Sequence, residues 1–105
     1  MKKHYNKLVR DRIPEIIKEA GKNCICHPVK GDTLISYAHK KLREEIDEFL
    51  DDPCAEEAAD VMEIFHFICD LHEIKDSQVM ATSTAKRVTR GGFNSGTVLS
   101  WVEEK

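Results

Sequence analysis

The sequence predicts an all-α fold whose core is an antiparallel hairpin of two helices, assembling into a four-helix bundle, with a short extended segment near the N-terminus. Three observations support this fold class. Two consecutive stretches place apolar residues at helical spacing, a short link containing proline joins them, and the composition is rich in helix-forming residues. The 105-residue chain has room for a single domain, 1–105, with one modest core.

Composition and charge narrow the classes of function. Charged residues make up 33% of the chain and hydrophobic residues 41%, the balance of a water-soluble globular protein. A net charge of -3 argues against broad nucleic-acid binding, because a phosphate backbone requires a basic surface. No stretch reaches the length of a membrane span, and no apolar signal core follows the first four residues. We therefore expect a cytoplasmic protein, with neither a membrane nor a nucleic acid as its partner.

A short helix is predicted near the N-terminus. Asp11 is a suitable N-cap, and Pro14 is accepted in a first helical turn because the N–H groups there have no helical partner. Gly21 is suited to end this helix after about Ala20, because glycine readily adopts the backbone conformation found just past a helix C-terminus.

The extended segment is predicted over 23–29, where apolar and β-compatible residues are bounded by glycine and by proline. It contains Cys24-Ile25-Cys26-His27, whose spacing is tighter than that of a zinc knuckle. Because no second knuckle follows, reduced thiols are favoured over a zinc site. Cys69 is predicted to be a small core residue. Asp32 or Thr33 then caps the next helix, which is acidic.

The acidic helix forms the first half of the hairpin. Glu45 and Glu48 are spaced i, i+3, which places both carboxylates on one face of a helix, at the edge of an apolar stripe. Glu44 and Asp47 are expected to point to solvent. The stripe consists of Ala38, Leu42, Ile46, Phe49 and Leu50.

The second half of the hairpin is predicted over 55–71. Glu57 and Asp60 have the same i, i+3 spacing but lie inside a wide apolar arc, where an uncompensated charge is costly. The arc covers more than half of the helix circumference, so one partner helix cannot cover it, and we expect two hairpins to pair into a four-helix core. It consists of Ala58, Val61, Met62, Ile64, Phe65, Phe67, Ile68, Cys69 and Leu71.

The link Asp51-Asp52-Pro53-Cys54 sets the register of the hairpin. Proline ends the first helix before it, and so short a link favours antiparallel helices. Glu48 then opposes Glu57, and Glu45 opposes Asp60, so that four carboxylates converge. Oxygen ligands at that density suit a hard divalent cation such as Mg²⁺, or Mn²⁺. A single ExxE pair is more often a solvated helix face, but two pairs in register favour a metal site.

Two basic clusters are candidates for binding phosphate groups. The first, which contains Lys7, Arg10 and Arg12, precedes the first helix, where it could equally be a solvated leader. The second lies at the C-terminal end of the last predicted helix, 78–89, and just beyond it, and Ser77 is a plausible cap for this helix. Basic residues and glycine are ordinary at a helix C-terminus, yet cations at a glycine loop can also meet a polyphosphate, with Phe93 offering a face for stacking. This second cluster consists of Lys86, Arg87, Arg90, Gly91, Gly92 and Phe93.

A terminal apolar segment follows. It is expected to pack on the core or on another subunit, and it consists of Val98, Leu99, Trp101 and Val102.

Four blocks of the sequence, in this order from Tyr5 to Leu99, resemble the all-α nucleotide pyrophosphohydrolases of the MazG-like superfamily, and within it the small phosphoribosyl-ATP pyrophosphohydrolase-like proteins. Four linked blocks are more specific than one. Eight residues, 49–56, separate the two acidic pairs, fewer than in many members of the wider superfamily. The blocks are Tyr-Asn-Lys-Leu-Val-Arg-Asp-Arg-Ile-Pro from Tyr5, Lys-Leu-Arg-Glu-Glu-Ile-Asp-Glu-Phe from Lys41, Glu-Glu-Ala-Ala-Asp-Val-Met-Glu-Ile from Glu56, and Lys-Arg-Val-Thr-Arg-Gly-Gly-Phe from Lys86.

The resemblance implies the fold of an all-α nucleoside triphosphate pyrophosphatase, a homodimer or homotetramer, and a nucleotide substrate. Its ExxE and ExxD signature falls on Glu45, Glu48, Glu57 and Asp60, which by resemblance bind Mg²⁺ and serve catalysis. The family hydrolyses nucleoside triphosphates or related nucleotides to the monophosphate and pyrophosphate. Such a reaction requires cations on the phosphates, for which the candidates are Lys7, Arg10, Lys86 and Arg90.

Two other classes of function are considered. The first is a non-catalytic helical module that binds nucleotides or other proteins with the same fold. The second is a redox carboxylate protein, suggested by Glu63 and His66, because ExxH on a bundle helix can ligate a di-iron centre. These two residues fall on the polar strip of their helix, away from Glu57 and Asp60, and no second ExxH exists, so this class is disfavoured.

Overall fold

The computed structural model describes residues 1–105 and contains four helices and no strand, so the all-α prediction is confirmed. The chain divides into two compact units, Met1–Glu73 and Ile74–Lys105. None of the helices has the length and apolarity that a membrane crossing demands. The first unit contains α1 (Ile13–Glu19), α2 (Gly31–Asp51) and α3 (Ala55–Leu71), and the second contains α4 (Asp76–Arg90).

Helices α2 and α3 form the predicted hairpin and pack against each other. Their connection is short because Pro53 cannot continue α2, which ends at Asp51. Antiparallel packing brings the rings of His39 and His72 to 6.1 Å at one end of the hairpin. Nearer the link, it brings the carboxylates of α2 to those of α3.

The core of the hairpin is small. Ala38, Ile64 and Cys69 are its buried hydrophobic residues, which confirms the position predicted for Cys69. Much of the predicted apolar surface is left uncovered. On α3, Met62 is 58% exposed and Phe65 is 41% exposed, because α2 covers only one side of the wide arc.

Helix α1 begins at Ile13, one residue later than an N-cap at Asp11 would require. The Ile13 N–H donates to the Arg10 carbonyl at 3.0 Å, so a turn precedes the helix, and Asp11 lies inside that turn. Arg12 is the N-cap residue, and its side chain makes no capping hydrogen bond. The prediction of Asp11 as the N-cap was therefore wrong.

The end of α1 follows the prediction. Gly21 has a φ of +78°, a conformation that L side chains adopt at a cost. Its N–H donates to the Lys18 carbonyl at 2.9 Å, and the Lys22 N–H donates to the Ile17 carbonyl at 3.1 Å. These two bonds form a Schellman motif, which satisfies carbonyls that the helix leaves unpaired.

The predicted extended segment, 23–29, forms no strand, because a lone extended stretch has no neighbouring strand with which to exchange hydrogen bonds. Helix α2 then starts earlier than predicted, with Lys30 as its N-cap residue in extended conformation. Asp32 and Thr33 are consequently inside the first turn, so neither is the N-cap. The carboxylate of Asp32 there lies near the positive end of the helix dipole.

The second unit contains α4, which confirms the predicted last helix with one correction. Its N-cap residue is Lys75, so Ser77 lies inside the helix and does not cap it. The Gln78 side chain instead accepts a hydrogen bond from the Lys75 N–H at 3.0 Å. The four residues of the terminal apolar segment, Val98, Leu99, Trp101 and Val102, are 70–85% exposed, so the packing expected for them stays a prediction.

Candidate metal centre

Five carboxylates from the two hairpin helices form two overlapping clusters. Oxygen atoms of Glu45, Glu57 and Asp60 lie within 4.8 Å of one another, and so do oxygen atoms of Glu44, Glu45 and Glu48. Glu45 belongs to both clusters because it faces α3 from the middle of α2. The antiparallel register brings Glu45 close to Glu57 and Asp60, while Glu48 lies with Glu44 and Glu45 in the other cluster.

Glu45 is the most deeply placed of these residues, with 6% of its surface exposed. Its Oε1 accepts from the Lys41 ammonium at 3.0 Å, one helical turn earlier. Its Oε2 is buried and has no hydrogen-bond partner, and the same holds for Oε2 of Glu57. A buried carboxylate oxygen without a partner is costly, so these two atoms point to a missing cation or donor.

Two of these carboxylates, Glu48 and Glu57, have a raised pKa, to which repulsion from their neighbours contributes. A hydrogen bond to Glu45 and repulsion from it raise the pKa of Glu48, with a smaller contribution from Glu57. Burial raises the pKa of Glu57, and the charges of Asp60 and Glu45 add to the effect. Glu48 and Glu57 are therefore harder to ionise in the folded protein than in isolation, and a divalent cation would relieve that cost.

Two cations of the N-terminal segment contact the carboxylates directly. Arg10 Nη2 lies 2.7 Å from Asp60 Oδ1, and Lys7 Nζ lies 2.9 Å from Glu44 Oε1. The hydrogen bond with Lys7 holds the pKa of Glu44 below its ordinary value, and that of Lys7 is raised by the same bond. Lys7 and Arg10 of the first basic cluster are therefore ion-paired with the hairpin and are not simply solvated.

The position of Glu44 corrects one prediction. Its side chain is 31% exposed and is bound by Lys7 and by Lys41, at 2.9 and 3.5 Å, so it does not point freely to solvent. Asp47 is exposed, as predicted. Lys41 was not among the predicted site residues. The signal that could have identified it is its i, i+4 spacing to Glu45.

The other predicted cations lie elsewhere. Arg12 pairs with Glu15 at 3.0 Å, outside the carboxylate clusters. Lys86, Arg90 and Phe93 belong to the second unit, where Phe93 is 98% exposed just after α4, and their role at phosphate stays a prediction.

Neither the alternative iron site nor the cysteine cluster contributes a residue to the two carboxylate clusters. Glu63 and His66 belong to neither carboxylate cluster. Cys24 and Cys26 are free thiols, and burial together with a hydrogen bond to Cys24 raises the pKa of the Cys26 thiol.

No family model, curated protein or solved structure matches this chain. The donor set is informative by itself. It offers only oxygen atoms, several of them carrying charge, which is the set preferred by Mg²⁺ and Mn²⁺ and a poor one for soft metals.

Proposed function

We propose that this protein is a Mg²⁺-dependent nucleoside triphosphate pyrophosphohydrolase, which cleaves between the α- and β-phosphates to give a nucleoside monophosphate and pyrophosphate. The observation that carries the proposal is the pair of buried, unpartnered oxygens of Glu45 and Glu57 inside a cluster flanked by Lys7 and Arg10. Carboxylates for a hard cation and cations for phosphate stand side by side. The resemblance of four sequence blocks to the MazG-like superfamily supports the same reaction.

The cation would be held by Glu45, Glu48, Glu57 and Asp60, with Mn²⁺ as an alternative to Mg²⁺. A cation bound by these residues would supply charge that neutralises phosphate oxygens and would lower the pKa of an attacking water. The unpartnered Oε2 atoms of Glu45 and Glu57 are the donors best placed to hold it, because they make no bond that would have to be broken first.

Proton acceptance from the water and binding of the phosphates would be carried out by side chains of the protein. One of these four carboxylates would also orient the water and accept its proton. Lys7 and Arg10 lie close enough to the carboxylates to bind the phosphates that the cation also contacts. A role for Lys86 and Arg90 at the phosphates, and for Phe93 in stacking on the base, stays a prediction from the sequence.

The test is to incubate the purified protein with a panel of nucleoside triphosphates and Mg²⁺ and to identify the products. We expect pyrophosphate and monophosphate, with loss of turnover in Glu57→Gln and little change in Asp47→Asn, whose side chain is exposed on the same hairpin. Release of single phosphates in place of pyrophosphate would contradict the proposed reaction.

The second candidate function is a non-catalytic interaction module of the same fold. It is favoured by the apolar surface that α3 leaves exposed, including Met62 and Phe65. This function predicts no turnover with any nucleotide of the panel.

A further inference from the structure

We propose that Arg10 exchanges partners: it pairs with Asp60 while the carboxylates hold no divalent cation, and it moves to a phosphate group when they hold one. This exchange rests on the proposed cation site, and through it Arg10 couples cation binding to anion binding. In the structure, Arg10 Nη2 lies 2.7 Å from Asp60 Oδ1. Asp60 is itself a member of the cluster with Glu45 and Glu57.

The segment that carries Arg10 is loosely attached. Residues 1–9 form no helix or strand and take part in no backbone-to-backbone hydrogen bond. Leu8 is the one residue among them that is partly buried, and the others are exposed. The ion pairs of Lys7 and Arg10, on either side of Leu8, are the polar contacts that hold the segment on the hairpin.

The ion pair between Arg10 and Asp60 is weak enough to exchange. The side chain of Arg10 is 54% exposed and that of Asp60 is 39% exposed, so water competes for both groups. An exposed pair of this kind typically contributes little to stability, which means that Arg10 can leave Asp60 without unfolding the hairpin.

A divalent cation and the Arg10 guanidinium cannot share Asp60 without repelling each other across a few ångströms. Arg10 therefore lowers the affinity of the empty cluster for a cation, and a bound cation weakens the hold of Asp60 on Arg10. The backbone turn in which the Ile13 N–H donates to the Arg10 carbonyl, at 3.0 Å, joins Arg10 to the start of α1. A planar guanidinium in that position is suited to a phosphate oxygen pair.

The first test measures Mn²⁺ affinity without nucleotide, by titration calorimetry on the full chain. Arg10→Gln is expected to bind Mn²⁺ roughly two- to fivefold more tightly than the parent, the factor set by losing a weak competing ion pair. Arg12→Gln is the matched control, because Arg12 lies two residues from Arg10 and carries the same charge. Its side chain pairs with Glu15, outside the carboxylate clusters. It is expected to change the affinity by less than Arg10→Gln does.

The second test observes the pair itself, through the side-chain NMR signals of the Arg10 guanidinium, assigned by their loss in Arg10→Lys. Adding Mg²⁺ is expected to shift these signals and to leave those of Arg12 in place. An unshifted Arg10 signal at saturating Mg²⁺ would overturn the exchange, as would equal Mn²⁺ affinities of the Arg10→Gln and Arg12→Gln variants.

These outcomes separate the two proposals. If the parent binds no cation, the proposed function fails and the exchange fails with it. If the parent binds a cation, and Arg10→Gln and Arg12→Gln behave alike, only the exchange fails.

Discussion

The negative charge of Glu48 lowers the stability of the metal-free fold. Its raised pKa comes first from Glu45, one turn earlier on α2. Changing Glu48 to Gln removes the charge and keeps the shape, so the metal-free variant is expected to melt no lower than the parent. Its gain in thermal stability on adding Mg²⁺ should shrink, and its activity should fall. For comparison, binding to the native state alone adds about 2.7 kcal/mol when free ligand is 100 times its dissociation constant.

The control for Glu48→Gln must be a carboxylate of α2 that lies outside the clusters. Glu44 does not qualify, because Lys7 and Lys41 both contact it. Asp47→Asn is suitable, since Asp47 is exposed and belongs to neither cluster. If Glu48→Gln and Asp47→Asn respond alike to Mg²⁺ in thermal melts, these carboxylates are a solvated face and the metal assignment fails.

The pH dependence of unfolding offers a second prediction at the same residue. The folded-state pKa of Glu48 lies above its ordinary value of 4.5, so the folded protein binds this proton more tightly than the unfolded chain. Below 4.5 the residue is neutral in both states and costs nothing. As pH rises through the raised pKa, the parent loses stability that Glu48→Gln keeps. Urea unfolding at a series of pH values checks this, and a constant difference between variant and parent would contradict it.

Individual residues also show where sequence reasoning stops. The convergence of Glu45 with Asp60 could be predicted, because it depends only on helical spacing and on the length of the link. The partner of Glu44 could not, since Lys7 lies 37 residues away along the chain and reaches α2 through a segment without regular structure. Contacts of that kind depend on the path of a loop, which no periodicity encodes.

At the scale of elements, the predicted α3 matches the structure at both ends, while three helix caps were wrong. Apolar periodicity and Pro53 determine where the hairpin helices lie. Caps depend on the backbone angles of single residues, and a turn such as the one before α1 shifts the start by one residue without disturbing the pattern.

The cap of α3 yields a prediction about stability. Cys54 is the N-cap residue, with extended backbone angles that suit this position, yet its side chain makes no capping hydrogen bond. Serine would offer an oxygen to the free N–H groups of the first turn, so Cys54→Ser should stabilise the protein by about 0.5–1 kcal/mol. The control is Cys26→Ser, the same change at an exposed residue outside any helix. Urea unfolding of the two variants would contradict the argument if both gained equally.

At the scale of the whole molecule, the hairpin presents more apolar surface than it covers. The buried hydrophobic residues are only Ala38, Ile64 and Cys69, while Met62 and Phe65 on α3 are 58% and 41% exposed. Exposed contiguous apolar surface of this kind is uncommon in monomers. The width of the apolar arc on α3 had predicted this surplus, and the partner that covers it stays a prediction.

We expect that partner to be a second copy of the chain, with two hairpins packing through α3 into a four-helix core. Replacing both Met62 and Phe65 with lysine places charge on the apolar face and should convert the assembly to a monomer of 12.0 kDa. Glu63→Gln changes the charge of the same helix in the same direction from an exposed, polar position, and it should leave association intact. Sedimentation at micromolar concentration measures all three proteins. A monomeric parent would refute the association, and the apolar face of α3 would then favour an interaction with a different protein.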